Sequence, residues 1–423
     1  MNRFSFYMAI GMLATGCMFT GCSNDDEAPY PSPTPQPEEE PFVLKQRQDI
    51  VLNSLQKDGL RAQNDFAFRL FNIDVASTDK NSLLSPLSIT QCISMAANGA
   101  SEEVRDEIVG NFLPKGGNLT DLNNLNKYLL EALSEEDNSS VFTLSNSVWV
   151  HNKYSLLPVF SNAVKEYYNA ESGGLDMFSL SAADRINSWI NSTTNGLIPK
   201  LYEGAPGYDI VLINTMYFKG VWTTPFEEER TEKSQFFNED GKLAEVDFMN
   251  SIYTQRLVDI NSEYTVAQLN YGNKAFSLYA ILPAEGTTLT LDAEKWIGMK
   301  EGMSKMDVNI ALPKFEVEYT VAELENKMTQ AGMKELFTSG EAFINTVTPK
   351  IGGSMVKICH KTVFKVNEKG AEGAGITEMG ALTFGGEENI TKTPTIVFNR
   401  PFIYIVEEQS TGAILFIGAV RNL

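Results

Sequence analysis

Two histidines, His151 and His360, are the only imidazoles from which this chain could build a nucleophile–base pair. His151 stands in a polar turn, "VHNKY", and His360 in an apolar strand pattern, "SMVKICHKTVFKV", where a satisfied core histidine is the expected state. Neither lies in a spacing that hydrolytic or metal chemistry needs: there is no HExxH, no CxxC pair, no P-loop and no GxSxG elbow. Cys92 and Cys359, the cysteines outside the N-terminal segment, sit far apart in apolar patterns and read as inert core thiols. The 54 Asp and Glu residues are plentiful, yet no spacing singles out an acid–base pair. The residues therefore point away from catalysis, and no metal set or cofactor motif is recognisable.

The charge narrows the partners. A formal net charge of −20 and a pI near 4.6 oppose binding to nucleic acid, whose phosphates require basic patches. They oppose equally an electrostatic grip on anionic lipid or sulfated polysaccharide. With 423 residues, 43% of them hydrophobic, the chain can bury a large core.

The N-terminus reads as a targeting segment: "MNR", then the apolar "FSFYMAIGMLATG", too short to span a bilayer stably. "FTGC" at Phe19–Cys22 resembles a bacterial lipoprotein signal, which would make residues 1–21 a signal peptide and Cys22 the lipidated first residue; "ATGC" at Ala14–Cys17 competes. The acidic run behind Cys22 resembles a surface-export signal, so the expected location is the outer membrane, exposed at the cell surface. Residues 22–42, Pro-rich and acidic, form an unpacked tether, and 43–423 read as one large domain.

Within that domain helical and strand patterns mix irregularly. "DFAFRLFNIDV" and "VAELENKMTQAGMKELF" have helical spacing, and "SPLS" opens a helix with Ser85 as N-cap and Pro86 in the first turn. "VFTLSNSVWV", "YTVAQLNY", "AFSLYAILP" and the hairpin "PFIYIVEEQSTGAILFIGAV" read as strands. Without strict βαβ alternation the fold class is α+β. Between two strand-like flanks lies Gly370–Gly386, mostly Gly, Ala, Thr and Glu and free of proline.

Here the residues carry a family resemblance. "VNEKGAEGAGIT" resembles the hinge of a serpin reactive-centre loop, about 369–396 here; "NSLLSPLSI", "LINTMYFKGVWTTPF", "INSWINSTTNGLIPKLYEG", "LPKFEVE" and "FNRPFIYIVEEQSTGAILFIGAV" resemble serpin segments in the right order. The resemblance implies mixed β-sheets with surrounding helices, an exposed loop, and suicide-substrate inhibition of serine, and alternatively cysteine, endopeptidases. In such a mechanism the loop is cut and its hinge half enters the central sheet, a recognised case of strand addition. One face of that strand would be Ala371, Gly373, Gly375, Thr377, Met379 and Ala381; the other would hold Glu372, Ala374, Ile376 and Glu378.

Residue by residue, the resemblance implies a hinge of Glu368, Gly370, Ala371, Gly373, Gly375 and Thr377. It implies a polar shutter of Asn81, Ser85, Ser88, Asn214 and His360 beneath the sheet. At the upper breach it places Trp222, Lys314 and Glu368, the last two as an ion pair. Counted from Glu368 by the family's usual hinge spacing, the resemblance implies a scissile bond at Phe384–Gly385, suited to chymotrypsin-like proteases; Leu382, Thr383 or Met379 would favour elastase-like or subtilisin-like ones. Ala371 and Gly373 depart from the usual Thr or Ser and Ala, which keeps a non-inhibitory serpin as the alternative. The stretch "TDLNNLNKYLLEALSEED" is acidic where heparin-binding serpins carry a basic helix, so no heparin activation is expected, and the protein is expected to be a monomer without cofactor.

Overall fold

Strand-forming runs that do not alternate with helices must pair largely antiparallel. A computed structural model, which describes residues 43–251, 254–339, 345–348, 356–371 and 393–423, arranges them in two large sheets. Residues Leu44–Leu423 cluster as one unit. Cys22, the signal and tether segments, and Gly373, Gly375, Thr377, Met379, Leu382, Thr383, Phe384 and Gly385 lie outside the described residues.

The sheet that matters for function runs β12 (Phe315–Thr320), β15 (Lys361–Asn367), β16 (Gly370–Ala371), β5 (Ile210–Val221), β2 (Val141–His151) and β4 (Glu171–Leu175). Its lower part is closed differently: β14 (Val356–Cys359) pairs parallel with β5, Val356 opposite Ile210 and Cys359 opposite Ile213. The second sheet runs β1 (Ser82–Leu84), β19 (Ile414–Val420), β18 (Phe402–Glu408), β10 (Phe276–Pro283), β9 (Tyr264–Asn270), β8 (Thr254–Ile260), β11 (Ser304–Pro313), β7 (Leu243–Asn250) and β6 (Glu232–Phe237). The short β17 (Thr395–Val397) lies parallel on β11. A small pair joins β3 (Ser155–Leu156) to β13 (Val347–Thr348).

The helices are α1 (Ser54–Ala76), α2 (Pro86–Ala97), α3 (Glu102–Phe112), α4 (Leu119–Leu133), α5 (Pro158–Tyr168), α6 (Leu180–Thr193), α7 (Ala293–Gly302), α8 (Leu324–Gln330) and α9 (Glu335–Thr338). α1 starts on a reciprocal cap between Asn53 and Gln56. α2 has no charged residue and is buried along its whole length, its polar Ser88, Thr90, Gln91 and Ser94 included; it packs against both β5 and β19. The opposite face of the functional sheet is covered by α6, whose Ile186, Trp189 and Ile190 pack with Trp149, Val211, Ile213 and Val363.

Several segments depart from the sequence reading. The helical pattern over 321–337 splits into α8 and α9, because Gly332 turns the chain at φ +114°. The run "SMVKICHKTVFKV" is interrupted at His360, between β14 and β15. "TIVFNRPFIYIVEE" breaks into β17 and β18 before Pro401, which has no N–H to give a ladder. Ser85 does occupy the N-cap position of α2, but its hydroxyl makes no capping bond.

Candidate functional site

At the top of the sheet, β16 is wedged between β15 and β5. Gly370 pairs with Val221 and Asn367, and Ala371 with Gly220 and Val366. Gly370 has φ +148°, and a Cβ there would meet the Gly220 carbonyl oxygen at 1.9 Å, so only glycine fits. Ala371 is buried on the core face.

The turn before this wedge is gripped by the end of β5. The Trp222 amide donates to the Lys369 carbonyl at 2.9 Å, its indole Nε1 to the Asn367 carbonyl at 2.8 Å, and the Phe226 amide to the Glu368 carbonyl at 3.0 Å. Trp222 is held in turn by stacking on Tyr271, ring centroids 4.4 Å apart. The Glu368 carboxylate lies 3.1 Å from the Lys314 ammonium and accepts from the Thr231 hydroxyl at 2.8 Å. Burial alone would raise the Glu368 carboxyl, but its own backbone amide, Thr231 and Lys314 outweigh burial and hold it below the usual carboxylate range. Lys369 reaches Glu228 at 3.3 Å on the outside of the turn. Trp222, Lys314, Glu368, Gly370 and Ala371 thus meet at one place.

Beneath the middle of the sheet, the Ser85 amide donates to His360 Nε2 at 3.0 Å, and the Ser85 hydroxyl to the Met216 sulfur at 3.4 Å. The His360 ring accepts at Nε2, so its proton sits on Nδ1. Burial pushes its pKa down to about 4, against a smaller opposing pull from Asp74. Asn214, on the same face of β5 as Met216, donates to Asn146 Oδ1 at 2.7 Å, and Asn146 to the Tyr168 carbonyl at 2.8 Å. Asn214 Oδ1 finds no hydrogen-bond partner among the described residues. Ser88 is buried in α2 nearby in sequence. Asn81 bonds elsewhere, clamping the C-terminus: its side chain accepts from the amides of Arg421 and Asn422 and donates to the Asn422 carbonyl.

The front of the sheet adds ties that the sequence reading missed. Thr215 bonds Thr193 at 3.1 Å and Tyr217 bonds Asn195 at 3.3 Å, fixing α6 and its exit to β5; Lys361 donates to the Lys200 carbonyl at 3.3 Å, fixing the same segment to β15. Thr231 and Asn146 were also missed. Asn146 had a signal: a polar residue at core parity inside "VFTLSNSVWV" needs a buried partner. Among the described residues no His, Cys, Asp and Glu side chains cluster as metal ligands.

Comparison with known proteins agrees with this architecture. The family model described as Serpin (serine protease inhibitor) matches residues 61–423. A serpin-like protein of Methanosarcina acetivorans is 29% identical over 376 residues, 85% of each chain. Corticosteroid-binding globulin of Pongo abelii is 30% identical, covering 86% of this chain and 90% of its own. Among solved structures, the thermophilic serpin tengpin in the native state superposes with a TM-score of 0.78 at 28% identity, covering 90% of this chain and 98% of tengpin.

Proposed function

The chain belongs to the serpin family, and from that premise we propose that it is a suicide-substrate inhibitor of serine endopeptidases. Serpins are mostly protease inhibitors rather than enzymes, with non-inhibitory members among them. The reading rests on one observation above the others: the segment leading into the bait loop already occupies the first rung between β15 and β5.

Continuing that register gives each next residue a neighbourhood. Gly373 would come between Phe218 and Phe364, and Gly375 between Met216 and Thr362, positions where the core face has room for little. Thr377 would come between Asn214 and His360, where its hydroxyl could donate to the Asn214 oxygen that lacks a partner. On the opposite face Glu372 would come between Lys219 and Lys365. For this strand to enter, β14 must leave β5.

The chemistry belongs to the protease. Its nucleophile attacks the bait loop and forms an acyl-enzyme. Roughly fifteen residues then enter the sheet at about 3.3 Å each, carrying the tethered protease on the order of 50 Å. There its active site is distorted before water can deacylate it. Inhibition is a race between insertion and hydrolysis, and each glycine at the hinge costs the entering strand roughly 0.5–1 kcal/mol. That cost keeps the plain-substrate serpin as a second reading.

Phe384–Gly385 as the reactive bond gives a chymotrypsin-like target; Leu382, Thr383 or Met379 gives an elastase-like or subtilisin-like one. Mixing the protein with all three protease types is the test. A covalent complex that survives detergent is expected, whereas clean nicking with none of the three trapped would leave only the substrate reading. Cys22 would anchor the inhibitor to the outer membrane by lipid; release of Cys22→Ser into the soluble fraction is expected, and equal partitioning would remove the anchor.

A further inference from the structure

The segment Leu44–Leu52, ahead of α1, has no secondary structure, yet it is bonded to three separate turns. Lys45 donates its amide to Asn138 Oδ1 at 2.8 Å and its ammonium to the Glu135 carbonyl. Arg47 donates to the Lys274 carbonyl at 2.9 Å, and the Ile50 amide to the Ser410 hydroxyl at 2.9 Å. The segment is therefore a strap across the α4–β2 connection, the β9–β10 turn and the β18–β19 turn.

Two features adjoin the contacts of the strap. Glu136 and Glu408 are both buried, and Glu136 Oε2 has no hydrogen-bond partner among the described residues. Burial, then the charge of Glu408, raises the Glu136 pKa, while Lys45 and Arg47 pull it the other way. The second feature is Lys274, a side-chain-bearing residue in the left-handed region at φ 73°. Such a conformation persists where the surroundings over-determine it, and here its carbonyl is the one that Arg47 grips.

The same turn reaches the hinge in single steps. The Gly272 amide donates to the Val221 carbonyl at 2.8 Å, the Thr223 hydroxyl to the Gly272 carbonyl at 2.9 Å, and Tyr271 carries the stacked Trp222. Val221 is the residue paired with Gly370. Trp222 is the one that grips the carbonyls of Asn367 and Lys369.

We propose that the strap Leu44–Leu52 is a latch: by holding the β9–β10 turn against the top of β5 it slows the parting of β5 from β15 below Gly370–Ala371, and its release speeds insertion. The inference rests on the loop-insertion reading above. With the latch off, Glu136 loses the two cations that offset the charge of Glu408, the turn relaxes, and the upper end of β5 is freer to part from β15.

The test uses the full chain. Wild type, Lys45→Ala/Arg47→Ala, and that double variant with Glu136→Gln added are held below their unfolding temperature. Conversion is followed by the loss of loop cleavage under limiting protease. The double variant should convert about tenfold faster, as losing charge-assisted bonds predicts. Glu136→Gln should bring the rate back toward wild type, because it removes one of the opposed charges. A strap that only adds stability would lower the denaturation midpoints of intact and nicked protein together and leave the rate unchanged, and that result overturns the latch. If wild type neither converts nor gains stability on nicking, loop insertion itself is wrong, and the latch falls with it.

Discussion

Protonating His360 would place a charge inside the core and remove the acceptor that the Ser85 amide uses. Its pKa is pushed down to about 4 from a normal 6.5. The unfolded chain therefore binds the proton first, and stability rises with pH across that interval. The contribution is fully present above pH 6.5 and is lost as the pH falls toward and through 4, up to roughly 3 kcal/mol. In His360→Gln the denaturation midpoint should fall less steeply between pH 6.5 and 4 than in wild type; parallel curves would mean the ring titrates normally. The sequence made the burial of His360 legible, because an apolar run flanks it. It did not make the partner legible, since Ser85 lies 275 positions away and uses its backbone amide, which no side-chain pattern reports. The partners of Asn81 were hidden for a related reason: it stands close to Ser85 in sequence, but the short β1 lies between them and its side chain bonds the C-terminal segment.

At the scale of the strand, parity decides what may enter. Period-two alternation was readable along 371–381 without any structure, and the ladder at Gly370–Ala371 assigns its faces: odd residues to the core side shared with Gly220 and Val366, even residues to the side of Lys219 and Lys365. Gly373→Glu should therefore bring an unpaired carboxylate between Phe218 and Phe364, a cost of several kcal/mol, and turn the protein into a plain substrate. Glu372→Gln should lose at most one solvent-facing pairing worth under about 1 kcal/mol and leave complex formation within about threefold. The number of protease molecules trapped per molecule nicked measures both, and equal behaviour of the two variants would mean the strand does not enter in this register. The elements that escaped the sequence reading are the broken ones. α8 and α9 share one continuous apolar pattern, and it takes the left-handed backbone at Gly332 to part them. β14 and β15 likewise share one pattern, although one pairs with β5 and the other with β12 and β16.

Across the whole molecule, the seam between β5 and the β14–β15 run is held from both faces. Behind it lies the wholly buried α2, with Ser85 bonded to His360 and Met216. In front, α6 packs on Val211 and Ile213 of β5 and on Val363 of β15, while Thr193 and the Lys200 carbonyl tie its end region to Thr215 and Lys361. Opening the seam breaks several of these contacts at once before any new ladder bond forms, which is the make-up of a kinetic barrier. Once a strand has entered, it gains antiparallel ladders on both sides in exchange for the short parallel pairing of β14 with β5. The intact form should therefore be a trap whose persistence is governed by a rate. Its denaturation midpoint should climb with scan rate, and the nicked protein should melt well above it at every scan rate. A nicked midpoint equal to the intact one would mean that the sheet has no place for the severed segment, and with that the proposed inhibitor would have no force to act on its protease.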